Sequence, residues 1–349
     1  MGLAKTEKQG SEEQSLLSVR DLKVTFVKEK GLFLKRRFLI KALDGVSMDV
    51  RRSEFVAVVG ETGSGKTTLA RCIMGLAKPD SGKLEYEGRD ITRLSGSSLK
   101  KHRQRVQIVY QDPYESLNPS QDVFKIVSTP IRKLLGEKDD SRIRERVASV
   151  LRDVGLDPTE VMYRYPHQLS GGQRQRVNIA RALAPEPELL IADEPITMLD
   201  AEQRMNILSL LRDLKEERKL TVLMITHDLA SAKMTSDRII VMYLGKIVEA
   251  GPTRDVVSAP HHPYVELVLA SAPKIKTKQA ARKEQQETTT SAYENLPPLD
   301  ETMYLERGCV FAPRCKYATE VCTEVHPNFE EISPRRYVAC YHPINRAAQ

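Results

Sequence analysis

The chain has 349 residues, 40% of them apolar, which is room for about two domains and enough apolar mass for a real core. No apolar run approaches the roughly 18 residues of a membrane-spanning helix, and the first stretch is polar with no signal-peptide core, so a cytosolic or peripheral protein is expected. The net charge of +7 comes from 54 basic residues interleaved with 47 acidic ones, and with no Trp and 5% aromatics it argues against a nucleic-acid partner.

Residues 1–15 read as a flexible lead-in. Short β-type stretches follow at Leu17-Ser18-Val19, Val24-Thr25-Phe26-Val27 and Val46-Ser47-Met48-Asp49-Val50, around a basic turn near Lys35-Arg36-Arg37. They suggest an antiparallel flap in which Phe26 either stacks on a nucleotide base or fills a small sheet's core. The apolar run Phe55-Val56-Ala57-Val58-Val59 then meets Gly60-Glu61-Thr62-Gly63-Ser64-Gly65-Lys66-Thr67-Thr68, behind which Leu69, Ile73 and Leu76 recur at helical spacing. That is strand, phosphate loop, helix. The glycines let backbone N–H groups converge on phosphate oxygens at a helix N-terminus, Lys66 brings charge to the outer phosphates, and the Thr67 hydroxyl is placed for Mg²⁺. Cys72, on that helix, reads as packing.

Lys83–Gly88 reads as a strand and turn, and Val106–Tyr110 as a strand whose end leaves the Gln111 amide at a site edge. From 112 to about 172 the pattern is helical, broken by Pro130, Gly136 and Gly155. Leu169-Ser170-Gly171-Gly172-Gln173 opens a further helix with Ser170 as N-cap, a second candidate anion site. The buried strand Leu189-Leu190-Ile191-Ala192 ends in Asp193-Glu194, two adjacent acids suited to holding Mg²⁺ through water and to accepting a proton from an attacking water. A second buried strand, Thr221–Thr226, ends at His227, placed for a terminal phosphate, and Asp237–Glu249 reads as a hairpin turning at Leu244-Gly245. Residues 273–298 are a polar linker, and 299–349 hold Cys309, Cys315, Cys322 and Cys340 in a piece too short for its own core without a staple.

In this order and spacing the motifs resemble the ATP-binding cassette family: Walker A at Gly60 to Thr67, Q-loop at Gln111, signature at Leu169 to Gln173, Walker B at Asp193-Glu194, D-loop at Leu199-Asp200 and switch His227. Tyr110-Gln111-Asp112-Pro113, Tyr165-Pro166-His167-Gln168, His262-Pro263-Tyr264 and the tail Gly308-Cys309-x-Phe311-x-Pro313-Arg314-Cys315 narrow the resemblance to the ATPase subunits of oligopeptide/dipeptide importers. The expected architecture is α/β: a P-loop NTPase (RecA-like) core over residues 16–272, with an antiparallel β subdomain and a helical insertion, then a small Cys-rich C-terminal domain.

The resemblance implies ATP and Mg²⁺ bound between two cassettes, with Ser170, Gly171, Gly172 and Gln173 acting on the partner's nucleotide and Asp200 at the junction. Thr67, Gln111 and Asp193 serve Mg²⁺; Lys66, Gln111, Glu194 and His227 form the hydrolytic set. It further implies two transmembrane permease subunits, a second, paralogous ATPase, an extracytoplasmic solute-binding protein, and a place at the cytoplasmic face of the membrane. Oligopeptides or dipeptides are the expected cargo, with nickel and oligosaccharides as alternatives and a non-transport ATPase acting on nucleic acid or ribosomes as the outsider. The D-loop departs from the family's pattern, reading Thr197-Met198-Leu199-Asp200 after Ile196. The importer tail resembles one that holds a [4Fe–4S] iron–sulfur cluster. Four thiolates suit such a cluster or structural zinc, the absence of CxxC pairs favours the cluster, and no bound metal is the remaining alternative. His326 and His342 could supply a fourth ligand to a metal but read as surface residues.

Overall fold

The computed structural model describes residues 15–30, 36–271 and 307–345. The lead-in up to residue 14, the basic turn at Lys35 and the 273–298 linker lie outside these. Strands β1 (Ser15–Lys30) and β2 (Arg36–Arg51) pair antiparallel along nearly their whole length, with Val24 opposite Leu43 and Phe26 opposite Ile40. With β4 (Ser81–Tyr86) and β5 (Arg89–Asp90) they make a four-stranded sheet in the order β2-β1-β4-β5. The three short stretches expected here are thus parts of two long strands. Their register shifts several times, so bulges interrupt the alternation that periodicity relies on.

The second sheet runs, in order, β11 (Glu330–Ser333), β12 (Arg336–Val338), β10 (Lys246–Pro252), β9 (Arg238–Tyr243), β3 (Phe55–Val59), β8 (Thr221–Thr226), β7 (Leu189–Asp193) and β6 (Val106–Val109). Its centre is parallel: β3 lies between β8 and β9, and β7 joins β8 to β6. Every residue of β3, β7 and β8 is buried, as in a sheet covered on both faces. Alternate residues feed two cores. Phe55, Ala57 and Val59 join the helical side with Leu190, Ala192, Val222 and Met224, while Val56 and Val58 join the β-subdomain side with Leu189, Ile191, Leu223 and Ile225. Cys72 is packing in the second core, and burial pushes its thiol up to about 11.

The helical insertion buries Val123, Ile126, Val127, Ile143, Val147 and Leu151 against the first core. Pro130 does not break it. The helix Val123–Pro130 runs on into a widened π-turn, Ile131–Leu135, which tolerates the missing N–H, and stops at Gly136, whose φ of 76° is left-handed. The hairpin is as expected: β9 and β10 (Lys246–Pro252) pair antiparallel across Leu244 and Gly245, both at positive φ.

Residues 307–345 do not build a core of their own. Strand β12 (Arg336–Val338) pairs with β10, β11 (Glu330–Ser333) pairs with β12, and Cys309, Phe311, Ala312 and Cys322 pack into the helical-side core. So short a segment cannot remove enough apolar surface from water alone, and it borrows the sheet edge instead.

On the β-subdomain side His102 is buried, its Nε2 2.7 Å from the Ile73 carbonyl and its ring edge-on to Tyr86. Burial holds its pKa below 6.5, so the unfolded chain takes up the proton first and stability is lost as pH falls below about 6.5. The urea midpoint is expected to drop between pH 7.5 and 5.5, and His102→Gln, which keeps a donor for Ile73, to flatten that drop.

Candidate functional site

The parallel register brings the motifs to one edge. Val59 is level with Thr226, Ile225 with Asp193, and Ala192 with Val109. Gly60, His227, Glu194 and Gln111 therefore leave neighbouring strands at about the same height, the C-terminal edge where ligands bind in open α/β sheets.

The phosphate loop is shaped by what it cannot accommodate. A Cβ on Gly60 would lie 2.2 Å from the Met242 carbonyl oxygen, and one on Gly65 would lie 2.1 Å from that of Ala42, while Gly65 itself sits at φ 103°. These are backbone neighbours that cannot step aside. Gly60→Ala is expected to weaken binding of an ATP analogue by more than about tenfold, because the loop's N–H groups lose their convergence; equilibrium fluorescence titration measures it. Lys66 is buried, and its Nζ donates to the Gly60 and Glu61 carbonyls at 2.7 and 2.9 Å and to Ser64 Oγ at 3.3 Å. Burial lowers its pKa, against the pull of Glu194, Asp193 and Glu61.

Thr67 Oγ1 lies 3.4 Å from Asp193 Oδ1, so the hydroxyl and the first acid meet as expected. Burial raises the Asp193 pKa, opposed by that hydrogen bond. A divalent cation is the natural countercharge. Thr67 Oγ1 and the Asp193 carboxylate would be the groups to hold it, and hard oxygen donors of this kind suit Mg²⁺. Glu194 has φ 48°, and its N–H donates to Ile225 O at 2.9 Å. This left-handed turn sends its carboxylate to His227, whose Nδ1 is 2.9 Å from Glu194 Oε2, and the same oxygen accepts from Thr197 Oγ1 at 2.8 Å. Thr197, noted from sequence only as a departure in the D-loop, is thus a positioning group for Glu194. Nothing in its sequence neighbourhood announces that, since the contact depends on the turn at Glu194.

Gln111 is exposed, as are Tyr110 and Tyr114 beside it. The signature helix, Gly171–Leu183, ties this segment to Walker B: Asn178 Nδ2 donates to Tyr110 O at 3.1 Å, Arg181 to Ser116 O, and Gln175 Nε2 to Pro195 O at 2.8 Å. Arg174 stacks over the Tyr114 ring at 4.1 Å. Sequence placed these side chains on a helix but not in these bonds. Ser170 and Gln173 form a reciprocal capping box, Gln173 N to Ser170 Oγ at 3.2 Å and Ser170 N to Gln173 Oε1 at 3.1 Å. Gly172 lies under the Gln203 side chain, and Asp200 caps the next helix through Gln203 N at 2.9 Å. Ser170, Gly171, Gly172 and Gln173 therefore cluster with Asp200, but no distance joins them to this chain's phosphate loop.

Phe26 is 48% exposed, which removes the reading that it fills a sheet core. Its pairing with Ile40 sets it near Ala42, whose carbonyl packs on Gly65.

Cys309, Cys315, Cys322 and Cys340 come together around one small cavity that His262 and Phe311 also line. Burial, then the neighbouring thiols, pushes the Cys340 thiol up to about 12, and burial raises Cys309 and Cys315. Among the described residues no three of His, Cys, Asp or Glu stand close enough to hold one metal ion. A tetrahedral zinc, with Zn–S bonds of about 2.3 Å, needs sulfurs about 3.8 Å apart, and that site is not formed. His326 is not a surface residue: it is half-buried, with Nδ1 3.2 Å from Gly308 O. His342 is exposed and bonds Thr319 Oγ1 at 2.7 Å.

Residues 43–197 match the ABC transporter family, and residues 248–322 match the oligopeptide/dipeptide transporter C-terminal region. The oligopeptide transport ATP-binding protein AppF of Bacillus subtilis is 38% identical over 94% of this chain and 98% of its own length. The dipeptide transport ATP-binding protein DppF of Haemophilus influenzae is 38% identical over 95% and 98%. Among solved structures, the dimeric post-hydrolysis state of the ATP-binding cassette MJ0796, bound to ADP and Pi, matches 68% of this chain and 99% of that one at 32% identity and a TM-score of 0.60. With the phosphate loop, the paired acids and the switch histidine on one sheet edge, and relatives aligned from end to end, the chain belongs to the ATP-binding cassette family, in its oligopeptide/dipeptide transporter branch.

Proposed function

We propose that this chain is the ATP-hydrolysing subunit of a membrane importer that takes up oligopeptides or dipeptides. The observation that carries the reading is that relatives named for oligopeptide and dipeptide transport align over at least 94% of the chain. No helix among the described residues is long and apolar enough to cross a membrane, so the path for solute belongs to other subunits. In this reading two permeases dock on the exposed Tyr110, Gln111 and Tyr114 from the cytoplasmic face, and a solute-binding protein delivers cargo from outside. Bound MgATP supplies the phosphoryl group. The Walker A N–H groups and Lys66 neutralise phosphate charge, Thr67, Asp193 and Gln111 would hold Mg²⁺, Glu194 takes the proton of the attacking water, and His227 and Thr197 hold that carboxylate in place. Ser170 to Gln173 serve the nucleotide of a second, paralogous cassette across a dimer interface, beside Asp200. Because Asn178 and Arg181 bind the Q-loop segment and Gln175 binds Pro195, a push on the helical insertion reaches both sides of the site.

The test is to tag the chain in its native host with Glu194→Gln, trap it with ATP and identify what co-purifies in mild detergent. Two permeases, a second cassette and a peptide-loaded binding protein are expected. A binding protein loaded with nickel or an oligosaccharide would move the substrate assignment, and ribosomes without membrane proteins would overturn the transport reading.

The four thiols are proposed to hold a [4Fe–4S] cluster. What supports this reading is that the four thiols line one cavity. Iron and acid-labile sulfide are expected in anaerobically purified protein and are lost in Cys340→Ser; zinc in their place overturns this assignment.

A further inference from the structure

The tail reaches the phosphate loop. Arg314 lies between Cys309 and Cys315 in sequence, and its side chain is only 9% exposed. Its Nη1 is 3.2 Å from both Glu61 carboxylate oxygens and 3.1 Å from Tyr243 Oη. Glu61 is the second residue of Walker A. It is held at two further points, by its N–H donating to Tyr264 Oη at 3.0 Å and by its carbonyl accepting from Lys66 Nζ at 2.9 Å. Tyr243, Tyr264 and Phe311 pack ring against ring, with centroids 4.7 to 5.5 Å apart.

The same short loop belongs to the cysteine cavity. A 3₁₀ turn, Ala312–Arg314, bridges the first two cysteines, with Ala312 N to Cys309 O at 3.0 Å and Cys315 N to Ala312 O at 3.2 Å. Cys309 N donates to Cys322 O at 2.7 Å, and Phe311 lines the cavity with the four thiols. Arg314 is therefore placed by whatever spaces Cys309 and Cys315.

We propose that the Cys309–Cys315 loop is an arm that couples the cysteine cavity to nucleotide affinity, with Arg314 as its positioning residue. The physical reason is charge. Glu61 puts a carboxylate at the mouth of a loop that must hold a polyanion, and Arg314 cancels it and fixes it away from the phosphates. When the thiols are spaced as the bound group requires, the turn presents Arg314 to Glu61. When that spacing is lost, Glu61 is released toward the nucleotide and affinity falls. The proposal rests on ATP binding at Walker A.

The experiment is equilibrium binding of a fluorescent ATP analogue with Mg²⁺ to the full-length chain. Arg314→Met is expected to weaken binding about tenfold, within the 5- to 150-fold range usual for coupled sites, and Arg314→Lys, which keeps the charge, to recover most of it. The same Arg314→Met change made in a Glu61→Gln background should cost less than about twofold, because no carboxylate is left to neutralise. Cys315→Ser should weaken binding in the wild-type background and have little further effect with Arg314→Met and Glu61→Gln together. Equal loss from Arg314→Met in both backgrounds would make Arg314 a packing residue and overturn the proposal, as would a Cys315→Ser chain that binds like wild type. A wild-type chain that fails to bind the analogue would instead overturn the ATPase reading.

Discussion

Glu194→Gln is expected to lower the ATPase kcat by about 10² to 10⁴, the usual worth of a positioned general base, while leaving nucleotide affinity near wild type. Gln has the same size and can still accept the Thr197 hydroxyl at the position of Oε2, now 2.8 Å away. It cannot take a proton from water. The phosphate loop, Lys66 and Thr67 are untouched, so ATP should still drive association of two cassettes, visible as an ATP-dependent shift in size-exclusion chromatography. Turnover kinetics and chromatography together separate the two effects. More than about a tenth of wild-type turnover would move the general base to another residue. His227→Ala should also slow hydrolysis, but less, because Thr197 still holds the carboxylate.

Arg336→Met should have the largest effect on folding. Glu249 is fully buried, and its carboxylate accepts from His261 N–H at 3.0 Å, His262 N–H at 2.7 Å and Arg336 Nη2 at 3.0 Å. Arg336 also donates to Ala259 O. These bonds join β10, the turn before the helix Pro263–Ser271, and β12. Removing one partner of a buried pair leaves an uncompensated charge and costs about 3–5 kcal/mol. Urea unfolding should show it as a lowered midpoint, and the cysteines should become more reactive toward alkylating reagents under native conditions as β12 leaves the edge. A midpoint within error of wild type would mean that the two backbone N–H groups alone satisfy Glu249.

What could be read from sequence was what local chemistry fixes. Gly60 to Thr67 lies between an apolar run and a helical repeat, and the abrupt end of Leu189–Ala192 in two acids is visible without knowing any neighbour. The level arrangement of Gly60, Gln111, Glu194 and His227 follows once these strands are taken as parallel. Pro130 does not break the helix, because a proline's missing N–H can be absorbed by a wider turn. The β1–β2 ladder was hidden by its bulges. The bonds that complete the site could not be read at all. Arg314 meets Glu61 across 253 residues of chain, and Thr197 meets a Glu194 whose own backbone is left-handed. Local periodicity carries no information about such pairings. The motif His262-Pro263-Tyr264 carries no local sign of its role, which is to set Tyr264 Oη on the Glu61 N–H.

The position of β3 also bears on how the chain is made. The strand that launches the phosphate loop is hydrogen-bonded on one side to β8 and on the other to β9, which ends at Tyr243. During synthesis, the residues that will grip ATP emerge early, yet both of their lateral supports arrive more than half a cassette later. Because Gly60 packs on the Met242 carbonyl of β9, the Walker A loop takes its shape only once that late strand is in place, so nucleotide binding reports a cassette whose central sheet is finished.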